Sequence, residues 1–224
     1  IASVIPRVAV GNKFPLMFLG SEGLPQCAGL IANLSAFVLD YAARQKLGGT
    51  TLNYFIYKQL PVLPPATYEH VAPWDGSATV GQWIRPRVLE LMCTAQDLEP
   101  FARDLGHEGP SFRWDPVRRF QLRCELDAAF FHLYGLNRED TAYVMDTFPI
   151  VRKHDEKAHG EYRTKRVILE LYDALAEATR TGRPYQTRLS PAPASIGLTH
   201  PPKFDRERVN VDVGNYILAF VFSL

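Results

Sequence analysis

Apolar positions along the chain change period several times, and each change predicts a different element. Ala2, Val4, Ile5, Val8 and Val10 form one short apolar segment and Phe14 to Leu19 a second, with Gly11-Asn12 between them. Gly-Asn between two β-prone runs predicts a hairpin or tight turn. From Pro25 the spacing lengthens: Ala28, Ile31, Leu34, Phe37, Val38 and Tyr41 recur every three or four residues, which predicts a helix that stops at Gly48-Gly49. Thr50 to Leu60 is rich in β-branched and aromatic residues and predicts a strand, ended by the prolines from Pro61 to Pro65.

Residues 66–81 read as a loop or linker. A helix is predicted from about Gln82 to Leu105, with Pro86 in its first turn. Asp115-Pro116 caps the next helix, in which Phe120, Leu122, Leu126, Ala129, Phe130 and Leu133 run toward Gly135. Asn137 caps a short helix from Thr141 to Thr147, and His154 to Gly160 reads as polar loop. Tyr162 to Arg180 is amphipathic, with Val167, Ile168, Leu171, Leu175 and Ala178 on one face. The chain is then Pro-rich through Pro202 and apolar again from Val209. The predicted fold class is α+β, a small mixed α/β piece followed by a mostly helical segment. Its divisions fall at 1–65, 66–110, 111–182 and 183–224, the last a Pro-rich link and an apolar tail.

Composition narrows the classes. Apolar residues make up 46% and charged residues 22% of 224, which is globular rather than disordered. The longest apolar run, Tyr216 to Phe222, is far short of the roughly twenty residues of a membrane span. Three cysteines, Cys27, Cys93 and Cys124, lie far apart with no CxxC pair, which argues against a disulfide scaffold or a four-cysteine zinc site and suits a reducing cytoplasm. The start at Ile1 and the apolar end read as cuts through a longer polypeptide. Net charge is only +1, yet residues 66–110 carry seven acidic against three basic side chains, whereas both flanks are basic. That alternation suits a cleft with one positive wall and, equally, solvated helix faces of mixed sign.

Signatures of catalysis are missing from the sequence: no phosphate loop, no GxGxxG, no GxSxG elbow. His154 and His159 are five apart, not the four of a helical zinc pair. Asp146 with Asp155-Glu156-Lys157 has the letters of a metal-dependent nuclease, but in a polar stretch that reads as a solvated charge run. Cys124 and His132 share an apolar helix pattern and read as core.

One block stands apart. Asn33-Leu-Ser-Ala-Phe-Val-Leu-Asp40-Tyr-Ala-Ala-Arg44-Gln-Lys46-Leu-Gly48-Gly49 is followed by a run that ends Lys58-Gln59-Leu-Pro61-Val-Leu-Pro64-Pro65. It resembles the end of the target-recognition region of large adenine-specific DNA methyltransferases of fused restriction-modification and related phage-defence systems. Leu126-Asp127-Ala128, Leu133 to Leu136, Asp146 to Pro149 and Gly160 to Lys165 resemble the same family's helical tail. Absent from the chain are the family's methyl-donor site and its Asp/Asn-Pro-Pro-aromatic motif; Leu63-Pro64-Pro65-Ala66 and Asp115-Pro116-Val117 both lack the required residues. The resemblance therefore implies a recognition and scaffold segment that holds no cofactor, with S-adenosylmethionine and catalysis elsewhere in the parent polypeptide. The implied partners are double-stranded DNA and the rest of that polypeptide, in the cytoplasm and without a membrane.

Within the block, Arg44, Lys46 and Lys58 suit phosphates, while Thr50, Thr51, Asn53 and Gln59 suit base edges. Read as a strand, Thr51, Asn53, Tyr57 and Gln59 share one face, and Thr50, Tyr54 and Lys58 the other. The competing reading of the same residues is a glycine helix cap followed by turn-satisfying side chains. At Arg163 to Arg166 a basic first turn opposes the helix dipole, so a phosphate or a neighbouring carboxylate is expected beside it. The alternative for the whole chain is a protein–protein interaction module that touches no DNA, suggested by its neutral total and acidic 66–110 stretch.

Overall fold

A computed structural model of the chain describes residues 2–11, 15–19, 26–49, 52–201 and the strand 216–220. Strands β1 (Ala2–Pro6) and β2 (Leu16–Met17) do not form the expected hairpin. Each pairs antiparallel with β3 (Tyr216–Phe220), which lies between them, with Ala2 opposite Phe220 and Leu16 opposite Ala219. The apolar C-terminal run thus supplies the central strand of a three-stranded sheet.

The helix expected up to Gly48 is two helices, α1 (Cys27–Ser35) and α2 (Phe37–Lys46), separated by an extended Ala36; Pro25, where the pattern begins, lies outside the described residues. The break has a tertiary cause. The Ser35 hydroxyl exchanges hydrogen bonds with the backbone of Ala2 (3.3 and 3.2 Å), and the Phe37 N–H donates to the Asp127 carboxylate (2.8 Å). A carboxylate at a helix N-terminus satisfies an orphan donor and suits the dipole.

The described part of the run expected as a strand, Leu52 to Leu60, is not one. After Asn53 the chain makes a single helical turn, α3 (Tyr54–Tyr57), because the Asn53 side chain accepts the Ile56 N–H (3.1 Å) as an N-cap. Pro65–Glu69 follows as a 3₁₀ turn. A Thr79/Gln82 capping box starts α4 (Val80–Met92) earlier than expected, which places Pro86 in its second turn, and α4 ends well before Leu105. A separate α5 (Glu99–Asp104) follows. Asp115 caps α6 (Pro116–Leu133) through the Val117 and Arg118 N–H groups, and Asn137 caps α7 (Arg138–Asp146).

The stretch read as polar loop is helix α8 (Pro149–His159), closed by Gly160 at φ +74°. The amphipathic helix predicted over 162–180 is α9 (Arg163–Thr181), with Val167, Ile168, Leu171, Leu175 and Ala178 all buried. It packs on α6, α7 and α8, and a single large core also takes in Trp74, Trp83, Ile84, Phe101, Phe112, Phe130 and Phe131.

Residues 183–200 are bound to the helices along their length. The N–H groups of Tyr185, Ala194 and His200 donate to Trp74 O, Glu90 Oε2 and Ser111 O, and the Arg113 N–H donates to Leu198 O (2.8–3.1 Å). The Pro-rich segment is therefore a strap: proline leaves few donors, and those that remain go mostly to backbone carbonyls and, at Ala194, to the buried Glu90 carboxylate.

Candidate nucleic-acid interface

The block that carries the resemblance is organised around Asn33, fully buried in α1. Its Nδ2 donates to the Tyr134 hydroxyl (2.8 Å), and its Oδ1 accepts the Leu63 N–H (2.9 Å) and the Tyr68 hydroxyl (3.4 Å). Tyr134 in turn donates to the Pro61 carbonyl (2.8 Å). An amide with both an acceptor and a donor end is what this position needs, since it meets one hydroxyl as donor and two donors as acceptor. The Pro61–Leu63 segment is thereby tied to α1 and to the end of α6. Through Asp127 and Phe37, α6 also positions the start of α2. Residues from the two parts of the resemblance, 33–65 and 126–136, thus interlock.

On this frame the proposed contact residues fall into two groups. Arg44 and Lys46 lie in the last turn of α2. Arg44 is committed, its Nε and Nη2 donating to the two oxygens of the nearly buried Asp40 (2.9 and 3.2 Å) and its guanidinium lying 5.0 Å from the centre of the Phe148 ring. Arg44 is thus paired within the chain, with 28% of its side chain exposed. Lys46 is exposed.

Asn53, Lys58 and Gln59 flank α3 and are exposed, but Asn53 and Gln59 stand at opposite ends of a helical turn rather than on one strand face. The Asn53 oxygen is spent on the cap, and Gln59 Nε2 donates to the Phe55 carbonyl (3.3 Å). Thr50 and Thr51 lie outside the described residues. Tyr54 anchors α3 to β2 by donating to the Leu16 carbonyl (3.1 Å), and Tyr54 and Phe55 leave most of their rings to solvent beside Lys58. The strand reading named Tyr54 but passed over Phe55, whose signal is that an Asn cap three residues before Ile56 makes a turn, not a ladder.

The polar stretch at 146–166 is also accounted for. Asp155 accepts the Thr164 N–H at the start of α9, Lys165 pairs with Asp146 (2.7 Å), Glu156 pairs with Arg152 (2.7 Å), and Arg166 bridges Glu161 and Glu170 (2.8 and 2.6 Å). Carboxylates pair with Lys165 and Arg166 in the basic first turn of α9. No group of three metal-type side chains occurs among the described residues. His132 stacks on the Tyr172 ring (3.8 Å), and the Cys124 thiol is pushed far up by burial.

Asp127 carries the most displaced carboxyl here. Burial pushes it up to about 7, against the lowering effect of the Phe37 N–H. Its unfolded value is about 3.9, so the native state holds its proton more tightly between those limits. The stability this adds is complete below about pH 4 and is lost as pH rises through 7. Asp127→Asn keeps the acceptor and removes the titration, so its stability relative to wild type should rise from pH 4 to pH 8 in urea unfolding. A fall over that window would show that Asp127 is ionised throughout.

No family model, curated protein or solved structure matches the chain.

Proposed function

We propose that the chain is the DNA sequence-recognition and scaffold segment of an adenine-specific, S-adenosylmethionine-dependent DNA methyltransferase or fused restriction-modification enzyme of the cytoplasm, with the catalytic domain elsewhere in the polypeptide. The observation that carries this reading is the interlock just described. The two separated blocks that resemble the family meet through Asn33–Tyr134, Tyr134–Pro61 and Asp127–Phe37, so the resemblance corresponds to one physical unit. That unit presents Lys46, Lys58, Gln59 and the exposed rings of Tyr54 and Phe55 on its outside.

In this reading Lys46 and Lys58 act at phosphates, where a hydrated point charge gives register without sequence information. Each of Lys46→Ala and Lys58→Ala should weaken binding to any duplex and lower the salt slope by about one unit. Arg44→Ala should leave that slope unchanged, because its charge is already paired with Asp40. Salt titrations on a mixed-sequence duplex measure all three. Wild-type binding without a salt slope would end the DNA reading.

A protein-docking role is favoured by a different observation. Trp114, Val117 and Ile196 are each more than 60% exposed, on segments joined by Arg113 to Gly197 and Leu198. Apolar docking there would be nearly indifferent to salt, and the same titration separates the two.

A further inference from the structure

Helix α8 is wholly peripheral, with no buried residue. Val151 and Asp155 are its half-buried positions, and the Asp155 carboxylate turns toward α9 to take the Thr164 N–H. At 100° per residue the direction opposite them is taken by Lys153, with Lys157 about 40° away and Ile150 and Glu156 about 60° to either side, all exposed. Glu156, at its edge, is held by Arg152 (2.7 Å), and the nearest acids of α7 and α9 are engaged by Lys165 and Arg166.

We propose that this outward face of α8, centred on Lys153 and Lys157, grips the sugar-phosphate backbone of duplex DNA as a second contact beside the Lys46/Lys58 surface. The inference rests on the DNA reading above and extends it to an element outside the recognition block. Like charges four residues apart on a helix repel each other, and among the described residues no ion pair is recorded for either lysine. An anionic ligand removes that repulsion. The two Cα atoms stand about 6 Å apart along the helix axis, and the ammonium groups, as mobile, strongly hydrated charges, fit phosphodiester oxygens rather than base edges.

Position ties the face to the recognition block. Phe148, the residue before α8, packs edge-on against Phe37 of α2 with centroids 4.7 Å apart, and the Arg44 guanidinium lies over it. The residue that leads into α8 is therefore packed on α2, whose last residue is Lys46.

The test is the salt dependence of binding of the 224-residue chain to a mixed-sequence duplex, for wild type, Lys153→Ala/Lys157→Ala and Arg180→Ala. Alanine is a better helix former than lysine, so the double variant keeps α8. Its salt slope should fall by about two units, with the same loss on every duplex sequence. Arg180, paired with Glu177 at the far end of α9, should leave the slope as in wild type. If wild type and the Lys46 and Lys58 variants behave as the DNA reading requires while the double variant keeps the full slope, the α8 contact is overturned and the reading stands. If wild type shows no salt-dependent binding, both fall. Loss of binding to phosphatidylserine vesicles by the double variant, with duplex binding intact, would also overturn the proposal and assign the face to a lipid surface.

Discussion

Truncating Glu125 to alanine should destabilise the fold by about 3–5 kcal/mol, the cost of orphaning a buried charge. Glu125 is 1% exposed on α6 and makes four bonds. Its Oε2 accepts Nε and Nη2 of Arg87 (both 2.8 Å), and its Oε1 accepts the hydroxyls of Tyr185 (3.0 Å) and Thr187 (2.6 Å). Arg87 is itself buried in α4, with its guanidinium 3.4 Å from the centre of the Trp83 ring and Nη1 donating to the Trp83 carbonyl (2.7 Å). Removing the carboxylate leaves that guanidinium without its counter-charge and frees the start of the 183–200 strap. Urea unfolding measures the first effect. Faster tryptic cleavage at Arg188 under native conditions measures the second. Arg87→Met/Glu125→Leu should recover most of the loss, because two apolar side chains avoid the desolvation that the ion pair must offset. A loss under about 1 kcal/mol for Glu125→Ala would mean that water reaches the pair.

That network also shows what the sequence could not convey. Tyr185 and Thr187 lie sixty residues from Glu125, and a Pro-rich run has no periodicity to announce that it is bound. The sheet was illegible for the same reason, since β3 is some two hundred residues from its partners. By contrast α9 was readable to within a residue or two, because Val167, Ile168, Leu171, Leu175 and Ala178 bury one stripe and nothing competes with it. α8 failed the same reading: it buries no apolar stripe, so its helical lysine spacing looked like loop. The α3 turn failed because propensity favours a strand at Tyr-Phe-Ile-Tyr, while a single Asn cap decides otherwise. At the candidate site, nothing in the run of residues was read as pairing Arg44. Asp40, four residues earlier on the same helix, was the available signal.

Asn33 should be the most sensitive position within the resemblance block. Asn33→Leu conserves volume while removing every polar atom, leaving the Leu63 N–H and the Tyr68 hydroxyl without their recorded partner. An orphaned buried donor costs about 1–3 kcal/mol, so a loss of about 2–4 kcal/mol is expected. Tyr134→Phe should cost less, about 1–2 kcal/mol, since it removes only the hydroxyl that joins Asn33 to the Pro61 carbonyl. Because the two side chains share one bond, the double variant should be more stable than the sum of the single losses implies, by about 0.5–3 kcal/mol. Additive losses in urea unfolding would show that Asn33 and Tyr134 act independently. The same variants bear on function, because the loop they hold follows directly after Lys58 and Gln59. In the DNA reading, folded Asn33→Leu should bind duplex more weakly than wild type although Asn33 is out of reach of any ligand. Unchanged affinity would separate the frame from the surface it carries.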